Sequence, residues 1–388
     1  MNTTMTDKFE LPALSRLAMG SPSKEIKQFK TWVPSGLTVR LGLVLRRLLL
    51  TLADRIVPVS LPLFERSTGL MDTVILSIVS KHEIADHLEQ RPQTAADLAR
   101  ITGTDADAMH RILRAAASRG VFQLDQDGLF HNNRLSKALL KGNATANREW
   151  SQYFGSQSNM LAWMNLPRAV VEGQPSFDHV FGMNVWEWFE HHNDEQEMFA
   201  HSMMGVTALQ APVIARLYPF AEVKSICDVG GGRGTLMSEL LTRHQHLKGI
   251  LFDAAGVLKS AEELLKARGV AERVEKVEGS FLISIPNADA YLFKNIFHDW
   301  NDEFCSSILQ TLKKSIKAGQ KVLIIEQLVE KNSIQGIGPA SDVQMMVACS
   351  GGRERSLAEI QGLLMTNGFQ VGRTFLHPLI SVVEGTFH

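Results

Sequence analysis

The chain has 388 residues, of which 45% are hydrophobic and 21% charged, and its formal net charge is −1. That length exceeds what one hydrophobic core usually supports, so more than one domain is expected, and the composition excludes a largely disordered chain. The balanced charge argues against binding by phosphate neutralisation, and the three scattered cysteines, Cys227, Cys305 and Cys349, form neither a disulfide framework nor a metal-ligand spacing.

Pro12, Pro22 and Pro34 break any long helix in residues 1–35, which read as a weakly ordered arm without the apolar core of a signal peptide. Residues 41–52 are strongly apolar but interrupted by Arg46 and Arg47, so they cannot span a bilayer. Flanked by Arg40 and Arg55, they suit a helix packed on a partner subunit or on its own domain, or a basic amphipathic helix on a membrane surface. No integral membrane segment is expected, and a reducing, cytoplasmic compartment is the simplest setting.

Between residues 82 and 130 the pattern is helix, turn, helix, hairpin. Thr94 caps a helix over 95–101, Gly103 turns the chain, Asp105 opens a helix over 106–119, and 121–130 alternates around a turn at 125–128. This is a winged-helix layout. Arg111, Arg114 and Arg119 would lie on its recognition helix. However, Ala106, Ala108, Ile112, Leu113 and Ala115 to Ala117 make that helix apolar, which suits burial rather than a DNA-binding regulator.

Residues 150–217 form a second helical block holding Trp150, Trp163, Trp186 and Trp188 together with six methionines, among them Met198 and Met204. Flat rings and adaptable thioethers suit either a pocket for a bulky aromatic ligand or a packed core.

From residue 223 short apolar runs at 225–229, 249–252, 274–277, 290–293 and 322–325 alternate with amphipathic helices at 235–243, 257–267 and 303–316. A βαβα pattern of this kind builds a mostly parallel sheet with helices on both faces. A last helix over 357–367 leads to two closing strands near 371–376 and 380–386.

The first of those strands runs into Asp228-Val-Gly-Gly-Gly-Arg-Gly234. Glycines let the backbone turn sharply and approach a ligand closely, and the helix that follows offers free N–H groups. The carboxylate of Asp228 would repel a pyrophosphate but attract an ammonium or sulfonium. Asp253 ends the next strand and is placed for ribose hydroxyls. These features fit S-adenosylmethionine better than a nicotinamide dinucleotide.

The ordered set of this loop, an acidic strand end, Phe297-His298-Asp299-Trp300 and Gly351-Gly352-Arg353-Glu354-Arg355 resembles the caffeic-acid-type O-methyltransferases and their bacterial natural-product relatives, over most of the chain. The resemblance implies an α/β Rossmann-like class I methyltransferase domain at 218–388. It also implies an N-terminal, mostly helical, winged-helix-like dimerisation domain at 1–145, with a helical connector at 146–217 contributing to the acceptor pocket. It implies S-adenosylmethionine as cofactor, no metal, a small-molecule acceptor, no nucleic acid, and a homodimer formed through the N-terminal helices.

Carried over by position, Asp228, Gly230, Gly232, Asp253, Phe281 and Lys294 would meet the cofactor. Ser280 stands where the family usually has an aspartate toward the adenine. His298 would be the general base, flanked by Glu326 and Glu354, and Met204, Trp163, Asp342 and Met346 would face the acceptor. Asp299, Asn301 and Asp302 read as helix caps rather than metal ligands.

The chemistry suits those types. A phenol of pKa about 10 facing a histidine of about 6.5 leaves a proton-transfer gap of about 5 kcal/mol, which a carboxylate on the other ring nitrogen narrows. The competing expectations are a relative that binds the cofactor without methylating (hydroxylase, decarboxylase or rearrangement catalyst) and, more remotely, the DNA-binding regulator.

Overall fold

The computed structural model describes residues 35–334 and 336–388, so the expected arm at 1–35 lies almost wholly outside the described residues. Helices α1 (Gly36–Arg55), α2 (Ser60–Ser67) and α3 (Gly69–Lys81) lead into α4 (Ile84–Gln90), α5 (Ala95–Thr102) and α6 (Ala106–Ser118). Thr94 Oγ1 accepts from the Asp97 amide at 3.1 Å and Asp105 Oδ1 from that of Ala108 at 2.8 Å, so both expected caps form. A hairpin of β1 (Phe122–Leu124) and β2 (Phe130–Asn132) follows, which completes the helix, turn, helix, hairpin order. Met109, Leu113 and Ala116 are buried on one face of α6, which packs against α3, α5 and β1, whereas Ala106 and Ala108 are exposed. The apolar run on α6 is therefore only half a core face, because a 3.6-residue period turns the other half outward.

Six helices form the next block: α7 (Asn147–Phe154), α8 (Gln157–Met164), α9 (Leu166–Glu172), α10 (Ser176–Phe181), α11 (Val185–His191) and the long α12 (Asn193–Leu217). Among the described residues α12 is the one helix long and apolar enough to cross a membrane by length and composition. Its Ala211, Val213, Ile214 and Ala215 are buried against the sheet that follows.

That sheet contains β3 (Ser225–Val229), β4 (Lys248–Asp253), β5 (Val274–Glu278), β6 (Ala290–Lys294), β7 (Lys321–Glu326), β8 (Phe369–Phe375) and β9 (Ser381–Phe387) in the order β5-β4-β3-β6-β7-β9-β8. The first five run parallel, and β9 enters antiparallel between β7 and β8. The interiors of β3, β6 and β7 are buried on both faces, which is why they read as unbroken apolar runs, while the edge strand β5 carries Glu275, Lys276 and Glu278.

Helices α13 (Thr235–Arg243), α14 (Ala255–Leu258), α15 (Ala261–Ala267), α16 (Asp302–Lys313), α17 (Gly338–Ala348) and α18 (Leu357–Thr366) complete the chain. The run expected as one helix over 257–267 divides at Lys259–Ser260 into α14 and α15. No element is expected at 338–348, yet α17 forms there, with Pro339 in its first turn where the missing N–H costs nothing. All three cysteines are buried and free.

Candidate active site

The strand order reverses at β3, whose neighbours β4 and β6 lie on either side, so ligands are expected beyond the carboxyl ends of these strands. The glycine loop begins there. Gly230, Gly232 and Gly234 all have positive φ, at 68°, 59° and 76°. A Cβ on Gly231 would sit 2.4 Å from Leu251 Cδ1, whereas one on Gly232 would meet nothing within 4 Å, so the loop is packed below and open above.

Across the loop, Asp253 Oδ2 accepts from the Gly232 amide at 2.8 Å and its Oδ1 from that of Ala254 at 2.7 Å. Burial raises the pKa of Asp253. Asp228 is 2% exposed, and its Oδ2 is buried without a hydrogen-bond partner. Burial, opposed by Lys294 and reinforced by Asp253, pushes its carboxyl up to about 7. Lys294 at the end of β6 is pulled down to about 8 by burial, against the attraction of Asp228 and Glu326. An unpartnered buried carboxylate beside an open glycine backbone is chemistry that a cationic, hydrogen-bond-donating ligand completes.

Ser280 and Phe281 follow β5. The Gly279 amide donates to the Asp253 carbonyl at 3.1 Å, which brings the two strand ends together. Ser280 Oγ accepts from the Leu282 amide at 3.3 Å, and the Phe281 ring meets Trp300 edge to face at 6.5 Å.

The second half of the site is built by a turn and a loop laced together. After β6, Asn295 takes a left-handed φ of 52° and the chain makes a single 3₁₀ turn at Phe297–Asp299. Arg355, fully buried, donates to the carbonyls of Phe297 and Trp300 at 2.6 and 2.7 Å and to Asp302 Oδ1 at 2.7 Å, pinning that turn. The Arg353 amide donates to the His298 carbonyl at 2.8 Å. A Cβ on Gly352 would lie 2.7 Å from the same carbonyl, so the close approach of the two segments requires glycine.

His298 is thereby enclosed by acids. Its Nδ1 lies 3.2 Å from Glu354 Oε1, its backbone amide donates to Glu326 Oε1 at 2.9 Å, and its Nε2 lies 3.5 Å from Asp299 Oδ1. Burial, which acts to lower the pKa of the ring, is outweighed by Asp299, Glu354 and Glu326, which push it up to about 10. Burial raises Glu326 to about 7 and Asp299 to about 6, each against the pull of His298.

Glu354 is fixed in turn by Ser341 Oγ, which donates to its Oε1 at 2.6 Å, and by Asp342 Oδ1, which accepts from its amide at 2.8 Å. Both partners sit on α17.

Family models match this chain twice, as an O-methyltransferase domain over residues 163–370 and an O-methyltransferase dimerisation domain over residues 64–142. The chain belongs to the O-methyltransferase family.

Among curated relatives, a mitomycin biosynthesis 6-O-methyltransferase of Streptomyces lavendulae is 33% identical over 75% of this chain and 83% of its own. A phenazine O-methyltransferase of Lysobacter antibioticus is 30% identical over 82% and 93%. Among solved structures, an O-methyltransferase from neocarzinostatin biosynthesis, in complex with S-adenosylmethionine and 2-hydroxy-5-methyl naphthoic acid, superposes with a TM-score of 0.72 at 28% identity, covering 82% of this chain and 96% of that one.

The enzyme is thus an S-adenosylmethionine-dependent O-methyltransferase with the class I sheet and an N-terminal helical domain of the family's dimerisation type.

In this methyltransferase His298, Glu326, Glu354 and Asp342 form one connected hydrogen-bonded group, and Gly232 joins Asp253 in another. Trp163 Nε1 donates to Gln344 Oε1 on α17 at 2.6 Å, which ties α8 to the helix that holds Glu354. Met346 is half-buried on the same helix and Met204 half-buried on α12.

Asn301 caps α16 by accepting from the Phe304 amide at 2.8 Å. Asp302 pairs with Arg353 and Arg355 instead, and Asp299 belongs to the histidine's surroundings rather than to a helix cap. Ser341 and Arg355 carry no local sequence signal of their roles, since each acts across a loop closure.

Proposed function

We propose that this enzyme methylates a phenolic hydroxyl of a small aromatic or polycyclic acceptor, with His298 as general base. The observation that carries the reading is the imidazole held between Glu354 on Nδ1 and the Glu326-bound backbone amide, at the carboxyl edge of the sheet. Relatives named for a phenazine and for a dihydroxynaphthoate, both fused-ring aromatic systems, support an acceptor of that kind. The aromatic cluster that reaches Trp300, two residues after the histidine, suits such a ring: Trp186 stacks toward Trp300 at 6.5 Å, and Phe189 and Phe199 back it.

Asp228, Gly230, Gly232, Asp253, Ser280, Phe281 and Lys294 would hold the cofactor, which when bound supplies an electrophilic methyl on its sulfonium. Met204, Trp163, Asp342 and Met346 would line or brace the acceptor side. The chain's own contribution is alignment and proton management. Carboxylates around His298 raise its basicity toward that of a phenol, which narrows the gap of about 5 kcal/mol expected for a free histidine. The same carboxylates leave the ring protonated at neutral pH in the ligand-free protein, so turnover depends on the fraction that has lost this proton or on an acceptor that arrives ionised.

The dimerisation-type domain supports a homodimer, which we place on the apolar surface of α1 to α3.

His298→Ala tests the role directly. General-base catalysis contributes roughly 10²- to 10⁴-fold, so S-adenosylhomocysteine production with a phenolic acceptor should fall by that factor while cofactor affinity stays within twofold. Undiminished turnover in this variant would remove His298 from the mechanism.

A further inference from the structure

Arg233 is the one position in the glycine loop that carries a long side chain, and it leaves the sheet edge for α12. Its Nη1 lies 2.8 Å from His201 Nε2. His201 Nδ1 lies 2.8 Å from the Glu197 carbonyl, which can only accept, so Nδ1 bears the ring's hydrogen and Nε2 offers its lone pair to the guanidinium. The guanidinium is half-buried, and its Nε is buried without a hydrogen-bond partner among the described residues. Burial lowers the pKa of Arg233, opposed by Glu197.

A fork of five donors with one committed, set beside the open backbone of Gly232 and offset by Glu197 alone, has donors left for an anion. The amino-acid arm of S-adenosylmethionine carries an ammonium and a carboxylate. The unpartnered carboxylate of Asp228 suits the first. Lys294 does not suit the second, because its charge is offset by Asp228 and Glu326. Arg233 is the remaining cation on the loop.

We infer that Arg233 anchors the cofactor's carboxylate, and that His201 on α12 holds the guanidinium in place to do so. Met204 lies three residues beyond His201 and so shares its face of α12. The helix proposed to face the acceptor is thereby tied to the cofactor through a single side-chain pair.

Calorimetric titration with S-adenosylhomocysteine and with 5′-methylthioadenosine separates this role from general damage to the loop. Both ligands are neutral thioethers of adenosine, but only the first has the amino-acid arm. Loss of a charge-assisted pair costs roughly 10- to 100-fold in affinity. Arg233→Met should weaken S-adenosylhomocysteine by that factor and leave 5′-methylthioadenosine within twofold, with Arg233→Lys in between. His201→Leu should weaken S-adenosylhomocysteine in the same direction, and His201→Gln, which keeps an acceptor, should restore it. Equal loss for both ligands, or unchanged affinity for S-adenosylhomocysteine in Arg233→Met, would overturn the assignment. No acceptor is present in these titrations, so their outcome is independent of whether His298 is the base.

Discussion

His298 draws its character from neighbours that reach it by three different routes: Asp299 along the chain, Glu326 from the end of β7, and Glu354 from the loop before α18. Each favours the charged ring, and together they overcome burial. A base must be unprotonated to act, so kcat/KM should rise with pH from neutrality toward about 10 for an acceptor whose own ionisation lies outside that range. Removing one carboxylate lowers the ring's affinity for its proton. In Glu354→Gln the rising limb should therefore move to lower pH, and the maximal rate should fall because the amide stabilises the imidazolium less well. A pH–rate profile of the variant that coincides with wild type would show that Glu354 does not tune the ring. The motif residues were legible at this scale because His298 and Glu354 stand in recognisable local strings. Asp299 was not: as a residue beside a helix start it reads as a cap, and only the 3₁₀ turn brings it to 3.5 Å from Nε2.

Among the elements, α12 and α17 carry the site between the helical block and the sheet. α12 is seated by a close approach at Gly205, where a Cβ would lie 2.4 Å from the Thr145 carbonyl oxygen and 2.5 Å from the Ala146 Cβ. Both contacts involve groups fixed at the start of α7, so neither yields easily. Gly205→Ala should destabilise the protein by about 1–3 kcal/mol through overpacking, despite the better helix propensity of alanine. A lower midpoint in urea with unchanged slope would report this, and an unchanged or higher midpoint would show that α12 shifts freely. The strands were readable from their apolar runs because burial on both faces removes polar positions from them. α17 starts at a Gly-Pro pair, Gly338 and Pro339, without a side-chain cap to mark it in the sequence, and its place is set by what it covers: Trp163 through Gln344 and Glu354 through Ser341 and Asp342.

Taken whole, the molecule leaves α1 without a single buried residue, and the exposed Leu41, Leu45, Leu48 and Leu52 share one face with Leu37. Leu63 and Phe64 of α2 and Leu70 and Val74 of α3 are exposed as well, and the dimerisation-type match begins at residue 64. An exposed apolar surface of that extent calls for a cover, and a second copy is the occupant we propose, as the dimerisation-type match suggests. Light scattering should find the wild type as a dimer and the double variant Leu45→Glu/Leu48→Glu as a monomer. A variant that remains fully dimeric would exclude α1 from the interface. Two domains were expected from length, and a homodimer from the family resemblance together with the long apolar helices at the N-terminus. Which surface stays open becomes visible only once the rest of the chain has packed.

What local pattern governs, a reader of the chain alone can recover: glycines where the backbone must turn and approach a ligand, Asp228 near the end of β3 and Asp253 at the end of β4, unbroken apolar runs for buried parallel strands, and hence the cofactor class and the sheet. These depend on spacings of a few residues, over which φ, side-chain period and capping act. The pairings that shape reactivity span longer loops: Arg233 with His201 across 32 residues, Glu354 with His298 across 56, Trp163 with Gln344 across 181. Such contacts exist only after β3, β6 and β7 align their ends and α12 and α17 close over them, because a pairing between distant residues is fixed by the packing of the elements that carry them.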